Sequence, residues 1–500
     1  MEKFFLSDVK SILEENNLIK DFNIVKDTEI KNISCDSRDV KQNCLFFCKG
    51  ENYKEEYLTD AIANGTICYV SEKKYEQFNV SYFIVTDILK AMAILSSSFY
   101  NNPAKSLNLI GVTGTKGKTT TTFFLKNMFE NYLKDEVGFL SSIEINTGIR
   151  REESHLTTPE SIEIHKDFKE IKDAKLKYTI VEVSSQSYKR DRLYGVDFEY
   201  GIFTNIAEDH ISNIEHPTFE DYLNCKIEFL KHCKTVVINK NTEYLEYILS
   251  KIKDKNIIFY GTDSSADYYV SNIKKVEDGF EFTVINEKEK YNHFFKLKMP
   301  GRFNVENSLA AIVLAKLNNI DDKSIEEALE RTKIEGRMNI YEEKGITVIV
   351  DYAHNGYSFL KLFESLKMDY PGRKIISVGG IVGGKAFNRR KEFGEIVGDN
   401  SDYIYLTSDN PQFESVRDIC MEIAKYIKDK DKFEIIENRK EAITKAIMNA
   451  NEGDIVVLLA KGGEKYIQIN NVNVEYEGDM EIAKEVLKLK NNNSKKLIYN

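Results

Sequence analysis

Short apolar runs alternate with amphipathic stretches along most of this chain, and the alternation predicts an α/β architecture. Residues 107–112 read as a buried strand and Thr121-Thr122-Phe123-Phe124-Leu125 as the start of a helix. Further strands are expected at 178–183, 200–204 and 235–239, separated by helical patterns. Strands that alternate with helices build a mostly parallel sheet covered on both faces. Residues 268–297 instead alternate apolar and polar positions around Asp278-Gly279, which predicts a small antiparallel hairpin set. A helix over 305–317 follows Pro300-Gly301-Arg302-Phe303-Asn304, with Asn304 expected as its N-cap. Beyond Gly336, strands at 347–350, 374–378, 403–407 and 455–459 predict another α/β region. Asp351, Gly379, Ser408 and Lys461 fall at the carboxyl ends of those strands, where ligands of open α/β sheets bind. Residues 1–103 mix short strands and helices and close at Asn101-Asn102-Pro103, a turn. The expected division is 1–103, 104–334 and 335–500.

Composition narrows the class. A chain of 500 residues exceeds one core, and 42% hydrophobic residues suffice for several. The net charge of −10, with both signs mixed, argues against a nucleic-acid surface. Apolar runs stay far below the ~18 residues of a membrane span, so no membrane insertion is expected. Met1-Glu2-Lys3-Phe4-Phe5-Leu6-Ser7-Asp8 lacks a signal-peptide core, so the expected location is cytoplasmic. The seven cysteines are odd in number and scattered; Cys44 and Cys48 lack a second pair at metal spacing. Reduced buried thiols fit better than a zinc site.

The most informative segment is Gly111-Val112-Thr113-Gly114-Thr115-Lys116-Gly117-Lys118-Thr119-Thr120. A strand, a glycine-rich turn and a helix N-terminus form a phosphate cradle, because backbone N–H groups approach the anion and the helix dipole favours it. Lys118 would reach the β/γ-phosphates and the Thr119 hydroxyl a Mg²⁺ ion. Strict Walker spacing wants Gly at position 112, whereas the glycines here fall as G-x-x-G-x-x-G-K-T. A Gly/Thr turn with a solvated lysine is the plain alternative, which the strand–loop–helix context disfavours.

Three more residues gain meaning beside that loop. Glu182 ends a predicted strand, where a carboxylate can meet Mg²⁺; otherwise it would be a surface ion-pair partner. His210, in Thr204-Asn205-Ile206-Ala207-Glu208-Asp209-His210, could be a second metal ligand, although lone histidines are usually structural. Lys226, on the amphipathic stretch Tyr222-Leu223-Asn224-Cys225-Lys226, would alone be a surface lysine.

Together these segments resemble a known family. The phosphate loop, Glu182-Val183-Ser184-Ser185, Thr204-Asn205 with Asp209-His210, Tyr222…Lys226, Gly301-Arg302-Phe303-Asn304-Val305-Glu306-Asn307, Glu335-Gly336-Arg337-Met338 and Val350-Asp351-Tyr352-Ala353-His354 occur in the order found in Mur ligases. The resemblance spans about residues 33–466. Asp36-Ser37-Arg38, Leu45-Phe46 and Lys49-Gly50 resemble the uridine-nucleotide domain of the MurE and MurF branches, and Thr157-Thr158-Pro159 points to MurE. Folylpolyglutamate synthases share the central and C-terminal plan but differ at the N-terminus.

The resemblance implies three domains: an N-terminal α/β uridine-nucleotide domain, a central P-loop ATPase domain with a mostly parallel sheet, and a C-terminal Rossmann-like domain that binds the amino acid. It implies ATP-driven amide formation in peptidoglycan synthesis. The D-Glu γ-carboxylate of UDP-MurNAc-L-Ala-D-Glu attacks ATP, and a diamino acid displaces phosphate from the acyl phosphate. Implied ATP contacts are Gly114, Thr115, Gly117, Lys118, Thr119, Thr120, Asn304, Arg337 and Asp351, with Asn304 at adenine and Asp351 at ribose. Lys118, Arg337, Glu182, His210 and Lys226 carry the chemistry. Thr119 and Glu182 would hold one Mg²⁺, and His210 with a carbamylated Lys226 a second. Ser37, Thr157, Thr158, Ser184 and Arg192 fall on nucleotide-substrate positions, as does Arg190, where many relatives carry Gln. A monomer handling only small-molecule substrates is the implied assembly.

The amine is chosen in the last domain. Diaminopimelate-adding relatives carry Asp-Asn-Pro-Arg, whose Arg binds the distal carboxylate; here the segment reads Asp409-Asn410-Pro411-Gln412. A neutral Gln cannot offer a charged fork, while Asp409 and Glu464 suit a distal ammonium. Ala460-Lys461-Gly462-Gly463-Glu464 replaces the usual Gly-Lys-Gly-His-Glu, and the loop 379–385 resembles the lysine-adding branch. L-Lysine is the expected amine; L-ornithine, or diaminopimelate bound through Arg389, is the alternative. A Mur-like nucleotide binder without ligase activity is a further alternative, opposed by the presence of Lys118, Glu182 and Lys226.

Overall fold

The computed structural model describes residues 3–50, 53–209, 211–212, 215–385 and 387–498, with side chains described to residue 491. The chain forms two compact units: Met1–Gly114, Phe129–Thr204 and Leu223–Phe259, and Thr115–Met128, Asn205–Tyr222 and Tyr260–Asn500.

The first unit opens with a five-stranded sheet ordered Ile19–Asn23, Ser81–Val85, Thr66–Ser71, Cys44–Phe47, Asn32–Ser34. Its first pair is antiparallel and the others parallel. The helix Ile88–Phe99 starts where the Asp87 carboxylate accepts the Leu89 and Lys90 N–H groups. Its Ala91, Met92, Leu95 and Phe99 pack with Leu45, Phe47, Val70 and Phe83, each large side chain contributing about 1.5–3 kcal/mol by burial.

The P-loop strand, Leu109–Thr113, lies between Thr179–Glu182 and Phe198–Phe203, parallel to both, and every residue in it is buried. That central position explains the unbroken apolar run. Gly111 belongs to this strand rather than to the phosphate cradle. A Cβ there would stand 2.5 Å from the Phe229 ring, which packs onto the strand from the helix Phe219–Lys231. The apparent G-x-x-G-x-x-G spacing therefore joins one packing glycine to two loop glycines.

The helix Ser161–Asp173 buries Ile164, Phe168 and Ile171, and with them His165 and Asp167. Among the described residues neither ring nitrogen of His165 has a hydrogen-bond partner, and burial pushes its pKa down to about 4. The folded-state pKa lies below the unfolded one of about 6.5, so the unfolded chain takes the proton first. Stability from the neutral ring is present above that value and is lost as pH falls toward 4. Asp167, pushed up to about 7 by burial against the opposing Arg150, titrates with the opposite sign. His165→Phe leaves Asp167 in place, so the difference isolates the imidazole. Its stabilising effect is expected to be about 2 kcal/mol larger at pH 5 than at pH 8, read from urea unfolding. Equal effects at both pH values would contradict the assignment.

In the second unit, Tyr268–Val276, Gly279–Asn286 and Tyr291–Leu297 form the expected antiparallel meander. The helix Phe303–Leu317 follows, and Asn304 is not its N-cap. Arg302, helical in backbone, holds that position, and Asn304 is the second helical residue, its amide donating to the Pro300 carbonyl at 2.7 Å. The last sheet is ordered Asn339–Glu343, Ile346–Val350, Ile455–Leu458, Ile375–Gly379, Tyr403–Leu406, Phe433–Ile435. Its first pair is antiparallel and the rest parallel. A hairpin, Tyr466–Ile469 with Val472–Glu475, was missed, although Ile467, Ile469, Val472 and Val474 alternate with polar residues about the turn Asn470-Asn471. The Lys/Asn-rich end belongs to the helix Asp479–Ile498. No helix among the described residues is long and apolar enough to cross a membrane.

Candidate active site

In the first unit, three expected nucleotide-substrate residues come together. Thr158 Oγ1 donates to the Glu182 carbonyl at 2.8 Å and accepts the Ser184 N–H at 3.0 Å. The Arg192 guanidinium donates to the Thr158 carbonyl at 2.9 Å and pairs with Glu160 at 2.7 Å. Lys49 pairs with the same carboxylate at 2.5 Å. Against the desolvation of its burial, Arg192 and Lys49 hold Glu160 below the usual carboxylate range. Thr157 flanks this group half-buried, Ser37 is buried in a short turn beside the N-terminal sheet, and Arg190 is exposed, its Nε donating to Gln186 at 3.2 Å.

Glu182 is buried at its strand end, accepting Ser142 N–H at 3.0 Å and Ser142 Oγ–H at 2.7 Å. Lys226 is buried on the helix Phe219–Lys231, and its Nζ donates to the Gly114 carbonyl at 2.8 Å. Sequence alone would have left that lysine on the surface. His210 lies outside the described residues.

In the second unit the loop is clamped by Asn205. Its Oδ1 accepts the Lys116 N–H at 2.9 Å, its Nδ2 donates to the Lys116 carbonyl at 3.0 Å, and its own carbonyl accepts Thr115 N–H. Thr115 Oγ1 accepts from the Tyr222 hydroxyl at 3.1 Å, while Lys118 Nζ turns back to the Thr115 carbonyl at 3.0 Å. Gly117 has φ +85°, and a Cβ there would meet Asn307 Oδ1 at 2.2 Å, so both conformation and space demand glycine. Asn307 in turn donates to Asn304 Oδ1 at 3.0 Å, which places Asn304 beside the loop. The helix begins at Lys118, with Thr119 and Thr120 buried in its first turn. A positive helix end, a cationic lysine and hydroxyl donors fit a nucleotide phosphate with its Mg²⁺.

Asp351 ends the strand Ile346–Val350 and accepts the N–H groups of Met338 at 2.9 Å and Ala353 at 2.8 Å. Burial raises its pKa, with Arg337 and these N–H groups opposing. The Arg337 guanidinium lies 4.3 Å from the Tyr352 ring centre, and the Tyr352 hydroxyl donates to Glu464 at 3.1 Å. The chain of contacts continues into the expected amine residues. Lys461, fully buried, donates to Glu464 at 2.7 Å and to Asn410 Oδ1 at 2.8 Å, and lies 3.8 Å from Asp409. Burial pushes the Asp409 carboxyl up, with Lys461 opposing and Glu464 adding to the rise.

Gln412 is engaged elsewhere. With φ +56°, it donates from Nε2 to Gln468 at 2.7 Å and accepts the Asn471 N–H at 3.1 Å, latching the loop to the hairpin. Arg389, an alternative ligand for a distal carboxylate, is nearly buried and pairs with Asp209 at 2.6 Å. Asp209 also accepts from Asn355 and lies 3.4 Å from Lys116. Lys116 Nζ is 3.3 Å from His354 Nε2, and His354 Nδ1 is 2.7 Å from the Tyr352 carbonyl. Burial, with Lys116 and Arg389, keeps His354 neutral, so Nδ1 donates and Nε2 accepts. Burial lowers the Lys116 pKa to about 8, with Asp209 opposing. This network of Lys116, Asp209, His354 and Asn355 was missed as chemistry, and its sequence signal was that Asp209 and His354 stand inside family motifs. Lys461 was expected among the strand-end positions that bind ligand, and its full burial was not.

Comparison with known proteins bears on the same segments. Residues 112–315 match the Mur ligase middle domain and residues 336–462 the Mur ligase glutamate ligase domain. A UDP-N-acetylmuramyl-tripeptide synthetase of Ligilactobacillus salivarius is 37% identical over 95% of this chain and 98% of its own length. A UDP-N-acetylmuramoyl-L-alanyl-D-glutamate--L-lysine ligase of Enterococcus faecalis is 35% identical over 97% and 99%. Among solved structures, a UDP-N-acetylmuramoyl-L-alanyl-D-glutamate--2,6-diaminopimelate ligase superposes with TM-score 0.63 at 23% identity, covering 93% of this chain and 96% of that one. MurF from Acinetobacter baumannii superposes with TM-score 0.65 at 18% identity, covering 98% and 99%. At such identities the structural likeness is one of fold, an α/β plan whose three sheets match the N-terminal, central and C-terminal Mur ligase domains. With both family domains matched in order and relatives above 30% identity along nearly its whole length, the chain belongs to the Mur ligase family and is an ATP-dependent amide ligase.

Proposed function

We propose that this chain is the MurE-type ligase of peptidoglycan synthesis, joining L-lysine to the D-Glu γ-carboxyl of UDP-MurNAc-L-Ala-D-Glu. The observation that carries the amine choice is a charge imbalance. Two carboxylates, Asp409 and Glu464, share one buried ammonium, Lys461, so the cluster keeps one uncompensated negative charge. A cationic distal group completes it and a carboxylate does not. The name of the Enterococcus faecalis relative points the same way.

In this reading Lys118 and Arg337 neutralise the charge that develops on phosphate oxygens as the substrate carboxylate attacks ATP, a reaction governed by positioning and electrostatics. Asn304 faces the adenine and Asp351 the ribose. Ser37, Thr157, Thr158, Ser184, Arg190 and Arg192 orient the uridine-nucleotide substrate. Thr119, Glu182, His210 and a carbamylated Lys226 would hold two Mg²⁺ ions, which offset phosphate charge. Asp409, Asn410, Gln412, Glu464 and Arg389 receive the amino acid, Gln412 acting through the hairpin it grips. Domains divided at 1–103, 104–334 and 335–500, a monomeric state and a cytoplasmic location complete the proposal.

The test is product formation by mass spectrometry with UDP-MurNAc-L-Ala-D-Glu, ATP, Mg²⁺ and L-lysine, L-ornithine or meso-diaminopimelate. L-Lysine is expected to exceed meso-diaminopimelate on the order of a hundredfold in kcat/KM, the effect of one unpaired buried ion. Preference for diaminopimelate would refute the amine choice. Gln412→Arg disrupts both side-chain hydrogen bonds to the hairpin, so it is expected to weaken lysine use with little gain of diaminopimelate.

A further inference from the structure

Arg439 is the first residue of the helix Arg439–Asn449, an end where the dipole disfavours a cation. It is nonetheless fully buried, and all three of its guanidinium nitrogens donate hydrogen bonds. Nε and Nη2 form a two-point pair with Asp479 at 2.8 and 2.6 Å. Nη1 donates to the Ser408 carbonyl at 2.9 Å, and Nη2 also donates to the Leu459 carbonyl at 2.7 Å. The Tyr476 hydroxyl steadies Asp479 at 2.8 Å. Buried ion pairs are often replaceable by apolar groups without loss of stability, so the contacts this one makes are the better guide to its purpose.

Both carbonyls lead into the amine cluster. The Ser408 carbonyl belongs to the peptide that enters Asp409, and the Leu459 carbonyl to the peptide two residues before Lys461. The strands behind them, Tyr403–Leu406 and Ile455–Leu458, are not neighbours, because Ile375–Gly379 lies between them. No direct backbone ladder sets one strand end against the other. The Leu459–Ala460 peptide is gripped on both sides, its carbonyl by Arg439 and its N–H by the Ala353 carbonyl at 3.0 Å. Ala460 there takes φ +78°, a left-handed conformation that alanine holds only when surroundings enforce it.

We propose that Arg439, braced by Asp479 and Tyr476, is a positioning residue for the amine substrate: it fixes the Ser408 and Leu459 peptides and thereby the spacing of Asp409 and Lys461. This rests on the reading of Asp409, Lys461 and Glu464 as the amine site. Lysine at 439 keeps the charge but cannot serve Asp479 and two carbonyls in a planar fork.

The experiment is full steady-state kinetics on the intact chain, with whichever diamino acid the wild type prefers. Arg439→Lys is expected to raise KM for the amine about tenfold or more, with KM for ATP and for the uridine-nucleotide substrate within about twofold. Tyr476→Phe, which removes one hydroxyl, is expected to raise the amine KM about two- to fivefold at unchanged melting temperature. An unchanged amine KM in Tyr476→Phe and Arg439→Lys would overturn the proposal. So would a rise in all three KM values together with a fall in melting temperature. If Arg439→Lys does not fold, Tyr476→Phe decides. A wild type that prefers diaminopimelate would refute the lysine reading, while the selective rise for that amine would still support Arg439.

Discussion

Replacing Lys226 with alanine is expected to abolish ligation while the chain stays folded. Lys226 is buried, and in its unmodified form it spends its ammonium on the Gly114 carbonyl, at the mouth of the phosphate loop. As a carbamate the same side chain would present an anionic oxygen to Mg²⁺ at that place, which suits a hard cation. Loss of that ligand should cost at least the ~10²–10³ in kcat typical of one electrostatic group. The melting temperature, measured beside activity, separates loss of this ligand from loss of the fold. Two additions separate the possible roles. Bicarbonate should not rescue the alanine variant, because no amine remains to modify, whereas a short carboxylic acid should restore part of the activity by supplying the missing oxygen. A lysine that merely braced Gly114 would respond to neither. Turnover near that of the wild type at ordinary Mg²⁺ would end the assignment.

Lys118→Ala should lower kcat by ~10²–10³ with smaller effects on the amine KM. The side chain leaves the first helical residue and folds back onto the Thr115 carbonyl. It is thus held over the loop, where a phosphate can take the place of the Thr115 carbonyl. Its charge matters most when negative charge builds on the transferred phosphoryl group, so the effect should fall on the chemical step. Phosphate release, followed with the uridine-nucleotide substrate and saturating amine, measures it. Unchanged ATP consumption in this variant would refute the role.

Much of this protein can be read from order along the chain, and the reasons are local. A strand buried on both faces is mostly apolar, so residues 109–112, 180–181 and 201–203 announced their strands. A phosphate loop needs glycine at Gly117 whatever surrounds it, because of its backbone conformation. Motif order then led to the family, and the residue types Asp409, Gln412 and Glu464 led to the proposal of a cationic amine. What failed locally was also what local rules cannot see. Asn304 has the chemistry of a cap, but Arg302 before it is already helical in backbone, and Asn307 donates to its side-chain oxygen. The hairpin 466–475 pairs Ile467 with Val474 and Ile469 with Val472 on one face that packing leaves largely exposed, and it grips Gln412 through polar groups.

Tertiary structure alone decided where charge is buried. Arg439 and Lys226 look in sequence like the many other lysines and arginines on amphipathic stretches, and Lys461 shows only its place at a strand end. Burial depends on which helix or strand end lands against which, a property of packing over long sequence separations. Gly111 makes the same point from the other side. In sequence it belongs to the glycine rhythm of the phosphate loop, and in the fold it is the space that the Phe229 ring requires. The sequence determined which chemistry was present, since that follows from residue type and spacing. The fold decided which charges face each other without water, as where Asp409 and Glu464 both meet the one buried ammonium of Lys461.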